Sequence, residues 1–160
     1  MRLLKANPAS SLLLFLLTGL LLFSGCATTP ENLFTVSGAG WTMEQGQALW
    51  TPRRGAPQIG GDLVVATDAN GRALVQFEKM PLSLVTAQVS PEFWTIRFPQ
   101  GGGFWKGNQP APTRTIWLYL PAALAGKPLP EPLQFNQEHG GNWRLENPKT
   151  GEILEGFLSS

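Results

Sequence analysis

The fold is decided by the stretch DLVVATDANGRALVQFEK, residues 62–79. Its centre, Asp-Ala-Asn-Gly at 68–71, is a strong turn signal because Asn and Gly tolerate positive φ angles. After the turn, apolar side chains occupy alternate positions at Ala73, Val75 and Phe77, although Leu74 interrupts the pattern. Such alternation is typical of a strand with one buried face and one wet face. The stretch therefore predicts an antiparallel hairpin.

The rest of the chain repeats this combination of short alternating runs and turn residues. Alternation is clear in Phe93–Phe98 and again around Trp143, and turn signals lie at 90–92, 139–142 and 147–151. We expect about ten strands of 4–8 residues. A sheet of that size buries its apolar face by curling or by forming a sandwich.

One segment, Thr113–Ala125, has a different pattern. Pro112 precedes it and Gly126 follows it, which is typical of a helix. Its apolar residues share one helical face: Ile116, Trp117, Leu120 and Leu124. Pro121 leaves two alternatives. Either one helix kinks there, which we favour, or residues 116–120 are extended and Pro121 begins a one-turn helix.

The N-terminus predicts export from the cytoplasm. Arg2 and Lys5 precede Leu12–Phe23, a run that is apolar except for Thr18 and Gly19. As a helix the run would span about 18 Å, too little for a bilayer core of about 30 Å. We therefore expect the leader to be removed.

Phe23-Ser24-Gly25-Cys26 resembles the lipobox of bacterial lipoproteins, in which the Cys thiol takes a diacylglycerol. The resemblance implies a signal peptide at 1–25, an acylated tether at 26–32 beginning with Cys26, and one domain at 33–160. Ala27, in place of the Asp that retains enterobacterial lipoproteins in the inner membrane, implies sorting to the outer membrane, facing the periplasm. The alternative is a plain secretory signal with a chance Cys.

Composition excludes several kinds of partner and site. The chain has 12 basic and 11 acidic residues, so no basic excess is available for nucleic acid. One Cys excludes an internal disulfide, and one His excludes a His-rich metal site. We expect neither a metal nor another cofactor.

Catalytic motifs are missing from the sequence, so we expect a protein that is not an enzyme. No phosphate-binding loop and no G-x-S-x-G elbow occurs. Glu152 and Glu155 could form an acid–base pair, but residues three apart on a strand face opposite sides, which favours a solvated edge. His139 lies in a Gly-rich turn and is expected to be solvated. A small hydrolase using carboxylates stays the weakest alternative.

The aromatic residues are the remaining signal, with six Trp in the chain. They either fill a small core or line a cavity for an apolar ligand, as in other curled sheets. The candidate lining residues are Phe77, Trp94, Phe98 and Trp117, with the helix as a lid or plug.

Three strings resemble the LolA/LolB family of lipoprotein carriers and receptors. They are Phe34–Gly38, Val75–Ser83, and Leu120–Leu124 with the Pro-rich segment that follows. Ala39, Met80 and Ser83 stand where the family has other residues. The resemblance implies a mainly β fold, an antiparallel half-open β-barrel with one inserted helix.

The same resemblance implies that the protein binds acyl chains of lipoproteins, or a similar amphiphile, without catalysis. It also implies that Leu82, at the position of a protruding Leu in the outer-membrane member, faces the membrane. The alternative is a structural or assembly lipoprotein that binds another protein of the envelope.

Overall fold

The computed structural model describes residues 32–138 and 140–159, which form nine antiparallel strands in one sheet. The strands are β1 (Trp41–Thr51), β2 (Ile59–Asp68), β3 (Ala73–Lys79), β4 (Leu82–Val89), β5 (Phe93–Phe98), β6 (Gly103–Asn108), β7 (Gln134–Gln137), β8 (Asn142–Asn147) and β9 (Glu152–Ser159). Among these residues no helix is both long and apolar enough to cross a membrane.

The order of the strands across the sheet is β6-β5-β4-β3-β2-β1-β9-β8-β7. The prediction of a mainly β, antiparallel fold with little helix is confirmed. The expected count of about ten is not, because the described residues form nine strands and two of them are long. β1 has 11 residues and β2 has 10. The sheet is not closed, and β6 and β7 are its edges.

The hairpin predicted at 62–79 is confirmed as β2 and β3. The carboxylate of Asp68 accepts hydrogen bonds from the main-chain N–H groups of Asn70, at 3.0 Å, and Arg72, at 2.8 Å. Gly71 has φ of 77°, a conformation that favours Gly. The turn residues therefore fix the register in which the two strands pair.

The segment between β6 and β7 holds two short helical pieces, so the single kinked helix favoured from sequence is wrong. A 3₁₀ turn covers Ile116–Leu118, and helix α1 covers Leu120–Leu124. Pro121 lies in the first turn of α1, where its missing N–H costs no helical hydrogen bond. The second alternative placed Pro121 correctly, although residues 116–118 form a 3₁₀ turn instead of an extended strand.

This segment packs on one face of the sheet, here called the inner face. The residues of the segment that are buried against it include Ile116, Trp117, Leu118 and Leu120. On the sheet itself, Leu63, Phe77 and Leu154 are fully buried in the same core. The opposite face, here called the outer face, carries most of the polar side chains.

Three glycines on the inner face let neighbouring strands pass unusually close. A Cβ on Gly46, Gly61 or Gly156 would collide with a main-chain oxygen of the adjacent strand. Glycine in a strand commonly marks such a close approach or bend. These residues therefore allow the sheet to bend where β9, β1 and β2 adjoin.

The two ends of the sheet differ in what they carry. The upper end holds the turn at 68–72 and the start of β1. There the main-chain N–H of Leu33 donates to Gln88 Oε1 at 2.6 Å, and Gln88 Nε2 donates to the carbonyl of Phe34 at 2.8 Å. The lower end holds the loops at 52–58, 80–81, 99–102 and 148–151.

Candidate functional site

A groove of about 890 Å³ lies across five neighbouring strands, β7, β8, β9, β1 and β2. Its volume falls within the range of about 300–1,000 Å³ that is usual for sites that bind small molecules. The groove is therefore the candidate binding site of this domain.

The side chains of the groove form two rows on the outer face, since residues paired directly across antiparallel strands share a face. The first row is Asn136, Arg144, Glu155, Leu49 and Gly60, and the second is Asn142, Phe157, Gln47 and Asp62. The site is thus built from pairings between strands that are distant in sequence.

The apolar part of the groove consists of Leu49 and Phe157. They are 43% and 44% exposed, although both are large hydrophobic residues. Because Leu49 pairs with Glu155 and Phe157 pairs with Gln47, the two are diagonal neighbours on one face. Gly60, on the β2 side of Leu49, has no side chain, which leaves that side of Leu49 open.

The polar rim is organised by Arg144. Its guanidinium lies 2.7 Å from Glu155 Oε2 and 2.8 Å from Glu146 Oε2. Burial acts to lower the pKa of Arg144, but the hydrogen bonds and charges of the two carboxylates outweigh it, so the pKa lies above its ordinary value. Arg144 therefore stays charged and holds Glu155 at the edge of the groove.

The four aromatic residues expected to line a cavity lie elsewhere. Phe77 and Trp117 are fully buried, with ring centroids 5.1 Å apart, and they fill the inner side of the sheet. Phe98 is half-buried, and Trp94 is half-buried with its indole N–H bonded to the carbonyl of Asn108. None of the four lines the groove.

The structure brings three of these four together through a residue that the sequence analysis missed. Trp50 contacts the rings of Phe77, Phe98 and Trp117 at centroid distances of 6.4, 5.9 and 5.5 Å. The sequence around Trp50, which lies next to the loop at 52–58, did not predict that this residue is the centre of an aromatic cluster. Leu49 and Phe157 were missed because a single exposed apolar residue on a strand is ordinary.

Glu152 and Glu155 lie on opposite sides of β9, as their spacing predicts. The expectation that both are solvated is wrong for Glu152, which is 5% exposed. Trp50 Nε1 donates to Glu152 Oε1 at 3.0 Å. Because the two carboxyl groups are on different faces, they do not form an acid–base pair.

The three remaining positions, Leu82, Cys26 and His139, differ in what the structure describes. Leu82 is exposed at the lower end, beside the still more exposed Met80. Cys26, the predicted acylation site, and His139 lie outside the described residues. No protein-family model matches this chain, and no curated protein sequence is significantly similar to it.

Proposed function

We propose that this protein is a lipid-anchored carrier of the bacterial envelope that binds acyl chains of lipoproteins, or a similar amphiphile. The observation that carries the proposal is the groove in which exposed Leu49 and Phe157 lie between polar side chains. Covering exposed apolar surface with an acyl chain is favourable by about 0.8 kcal/mol per methylene. The polar rim would meet the head group.

The charges of the groove favour a head group without negative charge. Asp62, Glu138 and Glu155 line it, and Arg144 is the positive residue among its lining side chains. The acylated N-terminus of a lipoprotein carries an amide and esters in place of a free amine, so it is uncharged. A free fatty acid would bring a carboxylate next to this acidic rim. We therefore propose that the lipoprotein end is the preferred ligand.

The anchor and the carrier fold belong to the same proposal. The lipobox resemblance supports acylation of Cys26, and Ala27 supports placement in the outer membrane. A single antiparallel sheet with an inserted helical segment on its inner face supports a half-open, LolA/LolB-like barrel. The exposure of Leu82 is consistent with its proposed place at the membrane.

The proposal is tested by binding of a triacylated lipopeptide to a soluble chain of residues 27–160. Leu49→Asn and Phe157→Asn should each weaken binding about tenfold, since each removes apolar surface worth about 1.5 kcal/mol. Phe93→Asn is the matched control, because Phe93 is 46% exposed outside the groove. A fatty acid should bind more weakly than the lipopeptide. Undetectable lipopeptide binding, or equal losses in all three variants, would overturn the proposal.

A second candidate function is binding of an envelope protein, and the free edges of the sheet favour it. β7 borders the groove and, among the described strands, pairs only with β8, so its other edge could accept an additional strand. An extended segment of a partner could pair there through main-chain hydrogen bonds. Purification with a bound protein and without lipid would support this candidate over the first.

A further inference from the structure

We propose that the lower end of the sheet is a docking surface for an anionic phospholipid membrane. This inference extends the proposed function, because it identifies the surface that meets a bilayer. The charge and exposure of the described residues support it, independently of the groove and of Cys26.

The first observation is the concentration of positive charge. The loops at 52–58 and 148–151, the end of β3 and the start of the inserted segment carry Arg53, Arg54, Lys79, Arg114 and Lys149, all exposed. The four loops of the lower end contain no Asp or Glu. Within the described ranges, none of these five cations forms an ion pair with a carboxylate.

Hydrogen bonds hold these loops next to one another. The main-chain N–H of Arg54 donates to the carbonyl of Thr150 at 3.3 Å, and its guanidinium donates to the carbonyl of Pro148 at 3.2 Å. Asn147, at the end of β8, donates to the carbonyl of Thr113 at 2.8 Å, which places Arg114 nearby. Four of the five cations therefore lie on neighbouring segments, and Lys79 ends β3 at the same end of the sheet.

The second observation is an apolar tip at the same end. Met80, in the turn between β3 and β4, is 83% exposed, and Leu82 beside it is 47% exposed. Gln100 of the adjoining turn donates to the carbonyl of Ser83 at 3.4 Å, which supports the base of this tip. An exposed apolar tip among cations fits a surface of anionic head groups over acyl chains.

The net charge of the whole domain is close to zero, so the cations at the lower end reflect an uneven distribution of charge. Without Arg2 and Lys5 of the leader, the 12 basic residues of the chain become 10, against 11 acidic ones. Five of those ten lie at the lower end. The acidic residues near that end are Glu78 of β3 and Glu131 before β7, besides Glu152, which is buried, and Glu146, which is paired with Arg144. A near-neutral domain thus presents a positive surface in one direction, which orients its approach to an anionic membrane.

The experiment measures binding of residues 27–160 to vesicles of phosphatidylcholine with 30% phosphatidylglycerol, and to vesicles of phosphatidylcholine alone, by co-sedimentation at low salt. The described part of this chain has its own core, so it folds without the leader. We expect binding to the anionic vesicles only, with loss at high salt. Lys79→Gln with Lys149→Gln should weaken it about 25-fold, or about fivefold for each cation. Arg54 is left intact because it joins two loops.

Two matched variants control for charge and apolarity. Lys106→Gln with Lys127→Gln removes the same charge outside these loops and should change binding less than twofold. Met80→Ser should weaken binding several-fold, whereas Met43→Ser, at a residue 50% exposed on β1, should not.

Equal binding to both kinds of vesicle, or equal losses in test and control variants, would overturn the inference. Lipopeptide binding in the groove, measured on the same variants, should be unchanged, so failure of either proposal is recognised separately.

Discussion

Glu152 shows how one buried carboxyl group controls the response of this domain to pH. Burial of the Glu152 carboxyl group raises its pKa to about 7. Hydrogen bonds from Trp50 and from the main chain of Ile116 act in the opposite direction but are outweighed. In the unfolded chain the group ionises near its ordinary value of 4.5. The contribution of Glu152 to stability is therefore fully present below pH 4.5 and is lost as pH rises to about 7.

We predict that Glu152→Gln removes this decrease. In the wild-type protein the free energy of unfolding should fall by about 3 kcal/mol between pH 4 and pH 8, since each pKa unit is worth about 1.4 kcal/mol. The variant keeps a carbonyl oxygen that accepts from Trp50 and should show a flatter profile in urea unfolding. Trp50→Phe removes a bond that lowers the pKa, so it should move the midpoint above 7. An unchanged slope in Glu152→Gln would contradict this account.

The two glutamates also show what could be predicted for single residues. Their placement on opposite faces follows from the two-residue period of a strand, which is local. The burial of Glu152 does not follow from any local pattern. It arises because Ile116 and its neighbours, more than 30 residues earlier, pack beside the start of β9.

At the level of elements, the segment between β6 and β7 depends on where proline lies within it. The main-chain N–H of Ala123 donates to the carbonyl of Tyr119 at 2.9 Å, whereas Pro121 occupies the first turn. We predict that Ala123→Pro costs about 3 kcal/mol, because it breaks that bond and introduces a clash. Pro121→Ala keeps the helical hydrogen bonds and should cost less, about 1–2 kcal/mol, because it removes buried apolar contact and makes the unfolded chain more flexible. Thermal unfolding of both variants tests this, and equal losses would contradict it.

A second prediction concerns the close approach of β1 and β9. Gly46→Ala should destabilise the sheet by about 1–3 kcal/mol, because its Cβ would collide with the main chain of Phe157. Gly60→Ala is the control in the same sheet, since its Cβ would meet only the flexible end of Leu49 at 3.3 Å. Urea unfolding should separate the two variants. If they are equally stable, the strands do not approach as closely as described.

For the whole molecule, the sequence predicted the antiparallel sheet but could not predict the groove. Hairpins follow from local turn signals such as residues 68–71, and those pairings are confirmed. The groove depends on β1 pairing with β9, in which Leu49 meets Glu155 across more than 100 residues. Nothing local selects that pairing. The aromatic residues instead predict a cavity on the inner face, which the inserted segment fills.

The proposed lipid anchor at Cys26 gives a prediction for the full-length sequence. Cys26→Ala should abolish acylation and move the protein from the detergent phase to the aqueous phase in a partitioning experiment. Ser24→Thr, a small change beside the proposed cleavage site, should leave most of the protein in the detergent phase. Unchanged partitioning of Cys26→Ala would contradict the lipobox interpretation.

The attachment of Leu33 and Phe34 to Gln88 fixes one end of the proposed tether. The length of the tether then limits how far Cys26 can lie from that point. Seven residue steps from Cys26 to Leu33 reach at most about 24 Å, while β4 rises about 20 Å from Gln88 to Leu82 at the other end. Anchoring through Cys26 and docking through Met80 on one bilayer would therefore require nearly the full length of this tether. Deleting residues 27–30 would leave about 10 Å of reach. The lower end of the shortened molecule would then contact a second bilayer more easily than the bilayer that holds Cys26. The variant should therefore aggregate vesicles.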